Sequence, residues 1–374
     1  MQVLKLVPEI YSFDTFQEFS EEFHLNERDL IVTNEWLYNP YVKPLNLKCY
    51  VLFQERYGKG EPSDEMIDAI VKDIVQFDFD RIIAFGGGTI VDICKVLALD
   101  VPKKSENLFV GKVQIRKVKE LIAIPTTCGT GSEVTNVAIA EVKALHTKKG
   151  IASENTYADF AVLIPEALQG LPDYVFATST IDALIHAMES YLSPKASAFT
   201  EMYAIKAIEM IINGYRKILA AGGNNIENRI PYLKDFCIAA NFAGISFGNA
   251  GCAAVHALSY SIGGAFHVPH GEANYQFFIE IFKRYQKKNP EGKIWTLNNR
   301  IKELLNCDVN EVYQELEKLL NGFLVKKPLH EYGMKEEQIN EFTDMTVKNQ
   351  QRLLVNNYVE FSTEEIKDIF TVLY

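Results

Sequence analysis

Short apolar runs alternate with helical patterns through the first part of the chain, and this alternation restricts the fold more than any other feature. The residues between two of these runs, 63–76, have the periodicity of an amphipathic helix, and Ser63 before an acidic first turn is typical of a helix start. Strands that alternate with helices form a parallel sheet wound by helices. The predicted strands are residues 30–33, 49–53, 82–85, 121–124 and 161–164.

The pattern changes after about residue 168, where long helical periods replace the β-branched runs. Residues 362–365, Ser-Thr-Glu-Glu, have the pattern of a capping box that begins the last helix. We therefore predict an α/β domain at residues 1–167 and an all-helical domain at residues 168–374. Four of the predicted helices cover residues 178–192, 200–220, 231–247 and 252–262.

Composition restricts the partners and the compartment. The chain is 48% hydrophobic and 23% charged, as in ordinary soluble proteins, and its net charge is −11. This acidic balance argues against nucleic acid, because no basic stripe is present to neutralise phosphates. The six cysteines are scattered without a C-x-x-C pair, which fits reduced thiols. No membrane span or signal peptide is visible, so we expect a cytoplasmic protein that acts on a small molecule.

Three consecutive glycines, Gly86 to Gly88, follow a predicted strand and precede a helical pattern. The N-terminus of a helix attracts anions through its free N–H groups and its dipole. Glycine lets a phosphate approach the main chain closely. The pattern therefore predicts a pyrophosphate site. A tight structural turn is the alternative, since the spacing is not the G-x-G-x-x-G of ordinary dinucleotide folds.

A loop rich in hydroxyl groups and glycine follows the strand at residues 121–124. Thr126 and Thr127 can hydrogen-bond a nucleotide there, or the loop can satisfy its own backbone. Cys128 lies in the same loop, and no histidine is near it in the sequence. We therefore expect a structural thiol and not a nucleophile.

Asp182 and His186 are four residues apart in an apolar helical stretch, so they share one helix face. A buried carboxylate beside an imidazole is costly unless something neutralises it. A divalent cation does so, and Asp with His suits iron, zinc or manganese better than calcium. His256 and His270 complete a ligand set for one catalytic metal with an open position. The alternative is that the Asp–His pair is structural.

Four motifs occur in one order, and together they are specific. They are GGG-T-x-x-D-x-x-K, P-T-T-x-G-T-G-S-E-V-T, D-x-x-x-H-A-x-E and G-x-x-x-x-H-A-L…P-H-G. This order resembles the iron-containing (group III) alcohol dehydrogenase family over essentially the whole chain. The resemblance implies a Rossmann-like parallel-sheet domain followed by a helical domain, the dehydroquinate-synthase-like fold. It also implies NAD and a divalent metal, with Fe²⁺ expected and Zn²⁺ as the alternative, and we expect a homodimer.

The same resemblance assigns nucleotide contacts to both glycine-containing loops and to a lysine further along. Lys149 is the family lysine on the ribose side, or else one more solvated charge beside Lys148. Many relatives carry Asp where this chain has Asn34, and that Asp accepts from the ribose 2′-OH. Asn34 keeps a hydrogen bond but does not repel a 2′-phosphate, so NAD is expected with weaker exclusion of NADP. The matched residues are Asn34, Gly87, Gly88, Thr89, Thr126, Thr127 and Lys149.

The proton relay departs from the family pattern. Many relatives have His-Ala-x-x-His, whereas this chain has Tyr260 four residues after His256. At that spacing the phenol faces the same side as the ligand, and it either donates to the substrate or packs. His267, three residues before His270, is the substitute, or else an exposed loop histidine.

The chemistry implied is hydride transfer between a nicotinamide and the carbon of a small alcohol or aldehyde, with the metal polarising the oxygen. Further segments resemble the branch of the family that interconverts 4-hydroxybutyrate and succinate semialdehyde. A reductase of other aldehydes or diols is one alternative. A dehydroquinate-synthase-like lyase is another, and it regenerates its cofactor, so a net change in NADH separates the two. The segments are residues 60–66, 146–153, 256–260 and 350–358.

Overall fold

The computed structural model describes residues 2–145 and 147–374 of the chain. His146, the first residue of one of the family-like segments, lies outside the described residues. The chain divides into two compact units. An α/β unit comprises Leu6–Thr127 and Gly131–Leu171, and a helical unit comprises the N-terminal segment through Lys5, Cys128–Thr130 and Pro172–Tyr374. The domain boundary predicted at residues 167 and 168 stays a prediction.

The α/β unit is built on a six-stranded sheet in the order β1-β8-β5-β4-β2-β3, and every pair in it is parallel. The remaining two strands, β6 and β7, form a separate antiparallel pair. All five predicted strands lie in the large sheet, so the predicted parallel sheet is confirmed. The strands are β1 (Glu9–Ser12), β2 (Asp29–Thr33), β3 (Tyr50–Phe53), β4 (Arg81–Gly86), β5 (Glu120–Pro125), β6 (Val137–Val142), β7 (Thr147–Ala152) and β8 (Phe160–Leu163).

Both faces of the large sheet are covered at its inner strands, which explains why β2, β4, β5 and β8 are continuous apolar runs. Successive side chains of a strand point to opposite faces. Leu30 and Val32 accordingly pack in one hydrophobic cluster and Ile31 in another. Ser63 accepts from the N–H of Met66 and caps the predicted helix. The helices of this unit are α1 (Phe16–Glu22), α2 (Glu35–Leu37), α3 (Asp64–Ile74), α4 (Gly88–Leu97) and α5 (Glu106–Phe109).

The second unit is helical, as predicted, and all four long helical periods are present with shifted ends. The capping box at Ser362 is confirmed, since its hydroxyl accepts from the N–H of Glu365 and the carboxylate of Glu365 accepts from the N–H of Ser362. The helices are α6 (Asp173–Leu192), α7 (Ala198–Ala220), α8 (Ile226–Arg229), α9 (Leu233–Ala250), α10 (Ala254–Phe266), α11 (His270–Lys288), α12 (Lys293–Leu305), α13 (Val312–Asn321), α14 (Gln338–Asn349), α15 (Gln351–Leu354) and α16 (Thr363–Leu373).

Strands β1, β6 and β7 were not predicted. The side chains of β1 are mostly exposed, and Ile151 is the one buried residue of β7, so neither strand has an apolar run.

In the part of the chain that the structure describes, no single helix is long and apolar enough to cross a membrane. One bent pair, Ile226–Ala250 with Ala254–Phe266, passes on length and composition alone.

Candidate metal centre and nucleotide site

Three helices of the helical unit bring together the four predicted ligands. Asp182 and His186 lie on α6, His256 lies on α10, and His270 is the first residue of α11. One ligand atom from each side chain lies within 4.8 Å of all the others. The Oδ1 atom of Asp182 is 3.9, 3.7 and 3.9 Å from the Nε2 atoms of the three histidines, in chain order. Ligands of one ion at about 2.1 Å are separated by roughly 3–4 Å, so the set fits a divalent metal.

Gly271 explains how His270 reaches the other ligands. A Cβ atom on this residue would overlap the carbonyl oxygen of Thr178, one turn before Asp182 on α6. The absence of a side chain therefore lets the start of α11 touch the backbone of α6. This close approach places His270 beside Asp182, and it gives the glycine of the P-H-G motif a physical reason.

Two of the histidines are oriented through their second ring nitrogen. The Nδ1 atom of His186 is 3.3 Å from the carbonyl oxygen of Gly129, and that of His256 is 2.6 Å from a carboxylate oxygen of Glu189. The rings of Phe247 and His256 stack on that of His186, with centroids 4.1 and 4.7 Å away. A donor role at Nδ1 leaves Nε2 as an acceptor, which is the tautomer that a metal ligand needs.

Glu189 contacts the ligand set, and the sequence analysis assigned it no role. Besides His256, its carboxylate accepts from the N–H groups of Ala253 and Val255 at 3.0 and 2.6 Å. These donors are at the start of α10, where helix N–H groups have no partner within the helix. The buried carboxylate thus caps the helix that carries His256 and fixes its ring. Its position seven residues after Asp182, at two helical turns, was the signal available in the sequence.

Asn274 is a second residue that the sequence analysis missed. Its amide nitrogen lies 2.7 Å from Asp182 Oδ1, 3.1 Å from His256 Nε2 and 3.2 Å from His270 Nε2. Ser259 donates to its amide oxygen at 2.5 Å and so fixes the orientation of the amide. Three acceptor atoms therefore converge on one point, which is the arrangement that a cation requires. The spacing of four residues from His270 was the only signal in the sequence.

The electrostatics give two of the ligands, Asp182 and His186, the protonation states that a metal needs. Burial raises the pKa of Asp182, but the three imidazoles outweigh it, so that this pKa lies below its ordinary value. Burial lowers the pKa of His186 to about 3. The carboxylate is therefore ionised and this imidazole neutral. Burial also raises the pKa of Cys252, which lies beside Glu189 and His256. A protonated thiol is a poor metal ligand.

The two candidates for the proton relay have different surroundings. The ring of Tyr260 lies 5.8 Å from that of His270, centroid to centroid. His267 ends α10 in the left-handed conformation with φ of 54°, and its side chain is exposed. Of these two candidates, only the tyrosine has a ring contact with a ligand in the part of the chain that the structure describes. The catalytic role of either residue stays a prediction.

The predicted nucleotide residues lie mainly at one edge of the large sheet. Strands β2, β3, β4 and β5 are parallel, so their carboxyl ends meet at this edge, where α/β sheets bind ligands. Gly87 is the N-cap of α4 and supplies no side chain to its free N–H groups. The buried hydroxyl oxygens of Thr33 and Thr126 have no hydrogen-bond partner among the described residues. Unpartnered donors and acceptors at such an edge fit an anionic nucleotide.

Asn34 lies at this edge beside a carboxylate that the sequence analysis did not consider. Its side-chain N–H donates to Glu55 at 2.8 Å, and the N–H of Glu35 donates to the same carboxylate at 2.6 Å. Glu55 follows β3, the neighbour of β2, and that topology could not be read from the sequence. Lys149 lies on β7 opposite Ala140, with its side chain exposed.

A buried ion pair connects the first two sequence motifs. Lys95 is fully buried and donates to the hydroxyl of Ser132 and to the carbonyl of Val137, both at 2.7 Å. Asp92 accepts from Ser132 at 2.6 Å and from the N–H of Ile139 at 3.0 Å. Burial lowers the pKa of Lys95 to about 8. These contacts fix the helix that follows the glycine turn against the hydroxyl-rich loop.

Comparison with known proteins identifies the class of protein that this fold and site define. Residues 8–165 match the family described as iron-containing alcohol dehydrogenase, and residues 176–374 match the C-terminal part described for the Fe-containing alcohol dehydrogenase family. The chain therefore belongs to the iron-containing alcohol dehydrogenase family, a family of oxidoreductases, and the resemblance seen in the motifs is confirmed.

Individual relatives give a more specific comparison than the family as a whole. The chain is 54% identical over 374 residues to 4-hydroxybutyrate dehydrogenase of Clostridium kluyveri, covering 100% of both chains. It is 32% identical over 306 residues to long-chain-alcohol dehydrogenase 1 of Geobacillus thermodenitrificans, covering 79% of this chain and 75% of that one. Sulfoacetaldehyde reductase from Bifidobacterium kashiwanohense, solved in complex with NAD+, has the same fold. Its TM-score is 0.85 at 21% identity, covering 100% of this chain and 99% of that one.

Proposed function

We propose that this protein interconverts 4-hydroxybutyrate and succinate semialdehyde with NAD(H). The observation that carries the proposal is the 54% identity over the full length of an enzyme of that name. The relative that acts on long-chain alcohols is only 32% identical. The four-ligand cluster supports the metal-dependent chemistry of the family, and the cluster is closed except at His270, which is half-exposed.

The residues of the helical unit have separable tasks in this reaction. A metal held by Asp182 and the three histidines would polarise the substrate oxygen while the nicotinamide exchanges a hydride with the carbon bearing it. Glu189 holds His256 in the tautomer that leaves Nε2 free. We assign the hydrogen bond to the substrate oxygen to Tyr260, because its ring lies beside that of His270. His267 is the second candidate, and its exposed position favours it less.

For the cofactor, we propose NAD(H), and the sheet edge supports this choice. The pyrophosphate is assigned to the main chain at Gly87 and Gly88, and the ribose to Asn34 together with Glu55. A carboxylate repels a 2′-phosphate, so Glu55 supplies the negative charge that Asn34 lacks. Further nucleotide contacts are assigned to Thr89, Thr126, Thr127 and Lys149.

The test is an assay of anaerobically purified, Fe²⁺-loaded protein with NADH and two aldehydes of equal chain length. Succinate semialdehyde carries a carboxylate and butyraldehyde does not. A charge-assisted hydrogen bond to that carboxylate is worth about 1.5–3 kcal/mol, hence roughly tenfold to a hundredfold in kcat/KM. Equal efficiency with both aldehydes would leave the family assignment intact but remove the 4-hydroxybutyrate assignment. A net change in NADH separates the dehydrogenase from a lyase that regenerates its cofactor.

Three further expectations belong to this proposal. We propose Fe²⁺ as the metal, with Zn²⁺ as the alternative that elemental analysis of protein purified without added metal distinguishes. The homodimer is tested by light scattering in solution. The cytoplasmic location stays a prediction from composition and is tested by fractionation of the cells that make the protein.

A further inference from the structure

Arg352 is linked to the ligand cluster by two successive contacts that share one side chain, that of Tyr260. Its guanidinium carbon is over the ring of Tyr260, 6.0 Å from the centroid. The same ring is 5.8 Å from the ring of His270. All three residues belong to the helical unit. A contact between a cation and the face of an aromatic ring is attractive, so Tyr260 helps to orient the guanidinium.

The position of Arg352 is fixed by a buried residue one turn further along. Asn356 is 3% exposed, and its side-chain N–H donates to the carbonyl of Cys252 at 2.8 Å and to the carbonyl of Arg352 at 3.4 Å. Cys252 lies just before α10, the helix that carries His256 and Tyr260. The short helix α15 is therefore tied directly to the segment that carries part of the ligand set.

The charge of Arg352 is not compensated within the protein. In the part of the chain that the structure describes, its guanidinium has no carboxylate partner and no hydrogen-bond acceptor. The net charge of the chain is −11, and most of its arginines are ion-paired, which makes this difference informative. The arginines paired with carboxylates are Arg28, Arg81, Arg116, Arg229, Arg284 and Arg300. An exposed, oriented and unpaired guanidinium is suited to bind a carboxylate with two parallel hydrogen bonds.

We propose that Arg352 binds the carboxylate of the substrate and so selects ω-hydroxy acids over simple alcohols. The inference rests on the proposed function, because that function supplies a substrate with a terminal carboxylate. The contacts through Tyr260 place the guanidinium carbon within about 12 Å of the centre of the His270 ring. In a four-carbon substrate, the extended chain spans about 5 Å from the hydroxyl oxygen to the carboxylate carbon. A charge-assisted hydrogen bond adds about 3 Å, so a substrate whose hydroxyl lies at the ligands can make a hydrogen bond about 8 Å away, on the scale of the separation from Arg352.

The experiment compares Arg352→Ala and Arg352→Lys with the wild-type enzyme on succinate semialdehyde and butyraldehyde. Arg352→Ala should lower kcat/KM for succinate semialdehyde by roughly tenfold to a hundredfold, mainly through KM, and leave butyraldehyde within about twofold. Arg352→Lys keeps the charge but not the planar fork, so it should recover part of the loss. Added guanidinium ion should also restore part of the activity of Arg352→Ala.

A binding measurement separates recognition from catalysis. Titration of the enzyme–NADH complex with 4-hydroxybutyrate, followed by NADH fluorescence, forms no product. The dissociation constant of 4-hydroxybutyrate should rise in Arg352→Ala by the same factor by which kcat/KM falls. Two control variants should leave this dissociation constant unchanged. Gln351→Ala changes an exposed neighbour on α15, and Arg300→Ala removes an equal charge elsewhere in the protein. Melting temperature and metal content establish that each variant is folded and loaded.

The outcomes distinguish the two proposals. If wild-type enzyme prefers succinate semialdehyde and Arg352→Ala keeps the full preference, another residue binds the carboxylate while the proposed function stands. If the wild-type enzyme does not distinguish the two aldehydes, the proposed function fails and the role of Arg352 fails with it. Equal losses on both aldehydes would mean that Arg352 supports Tyr260 and does not select the substrate.

Discussion

The proposed ligand cluster of the helical unit is made of side chains, whereas the proposed nucleotide edge of the α/β unit is made largely of main chain. The ligand atoms come from three helices and are held by Glu189 and Asn274. At the sheet edge, one glycine turn supplies the free N–H groups, and the hydroxyls of Thr33 and Thr126 have no partner among the described residues. A preorganised set loses its function when one member is removed. A main-chain site loses affinity by degrees.

The largest effect is expected from removal of a ligand. Asp182→Ala and His270→Ala should each lower metal content sharply and kcat by about a thousandfold or more, because polarisation by the metal is worth several kcal/mol. Elemental analysis and NADH oxidation measure the two effects. Asp235→Ala, an exposed carboxylate on α9, is the control for charge alone. Normal metal content and turnover in either ligand variant would refute the site.

A smaller effect on metal binding is expected at Glu189, which contacts the ligand His256 but is not one of the four ligands. Glu189→Gln removes one of the acceptors that serve His256 and the start of α10, so metal affinity should fall by about tenfold to a hundredfold. Competition with a chelator measures that affinity. Ser190→Ala, the next residue on α6, removes a buried hydrogen bond to Ser246 and should leave it unchanged. Equal affinity in wild type and Glu189→Gln would show that the carboxylate only caps the helix.

At the sheet edge, the charge beside Asn34 should decide which nucleotide is preferred. Glu55→Gln removes the carboxylate and should shift the kcat/KM ratio toward NADP(H) by roughly tenfold, since a charge near a phosphate is worth about 1–2 kcal/mol. Glu35→Gln, an exposed neighbour of equal charge, is the control. Asn34→Asp, the variant that the sequence alone suggests, adds a second carboxylate beside Glu55 and should change the ratio less. An unchanged ratio in Glu55→Gln would remove Glu55 from the ribose site.

The smallest effect has opposite signs for stability and for binding. Thr126→Val removes a buried hydroxyl without a partner, so the free energy of unfolding should rise by about 1 kcal/mol. The same change should weaken NADH binding by about fivefold, because the nucleotide loses one hydrogen bond. Thr33→Val removes the other unpartnered hydroxyl at this edge and should stabilise the protein by a similar amount, which checks the stability effect alone. If Thr126→Val binds NADH as tightly as the wild-type protein does, Thr126 does not contact the nucleotide.

The strands and long helices could be predicted because their signals are local. A strand buried on both faces is a continuous apolar run, and a capping box or a glycine turn is contained in a few neighbouring residues. Strands β1 and β7 were missed because their side chains are mostly exposed, so their pairing leaves no apolar pattern. The four ligands could be proposed for a similar reason, since two of them are one helical turn apart and the others lie in family motifs.

The sequence by itself determined the parallel sheet, the helical second half and the family. Only the tertiary structure decided which residues support the site. Asn274 converges on three ligand atoms, Glu55 lies beside Asn34, and Arg352 lies over Tyr260. Apart from the contact between Asn274 and His270, none of these contacts joins residues that are close in sequence, because each depends on how separate helices or strands pack. Periodicity records which side of an element is buried, but the partner across a packed interface is fixed only when the chain has folded.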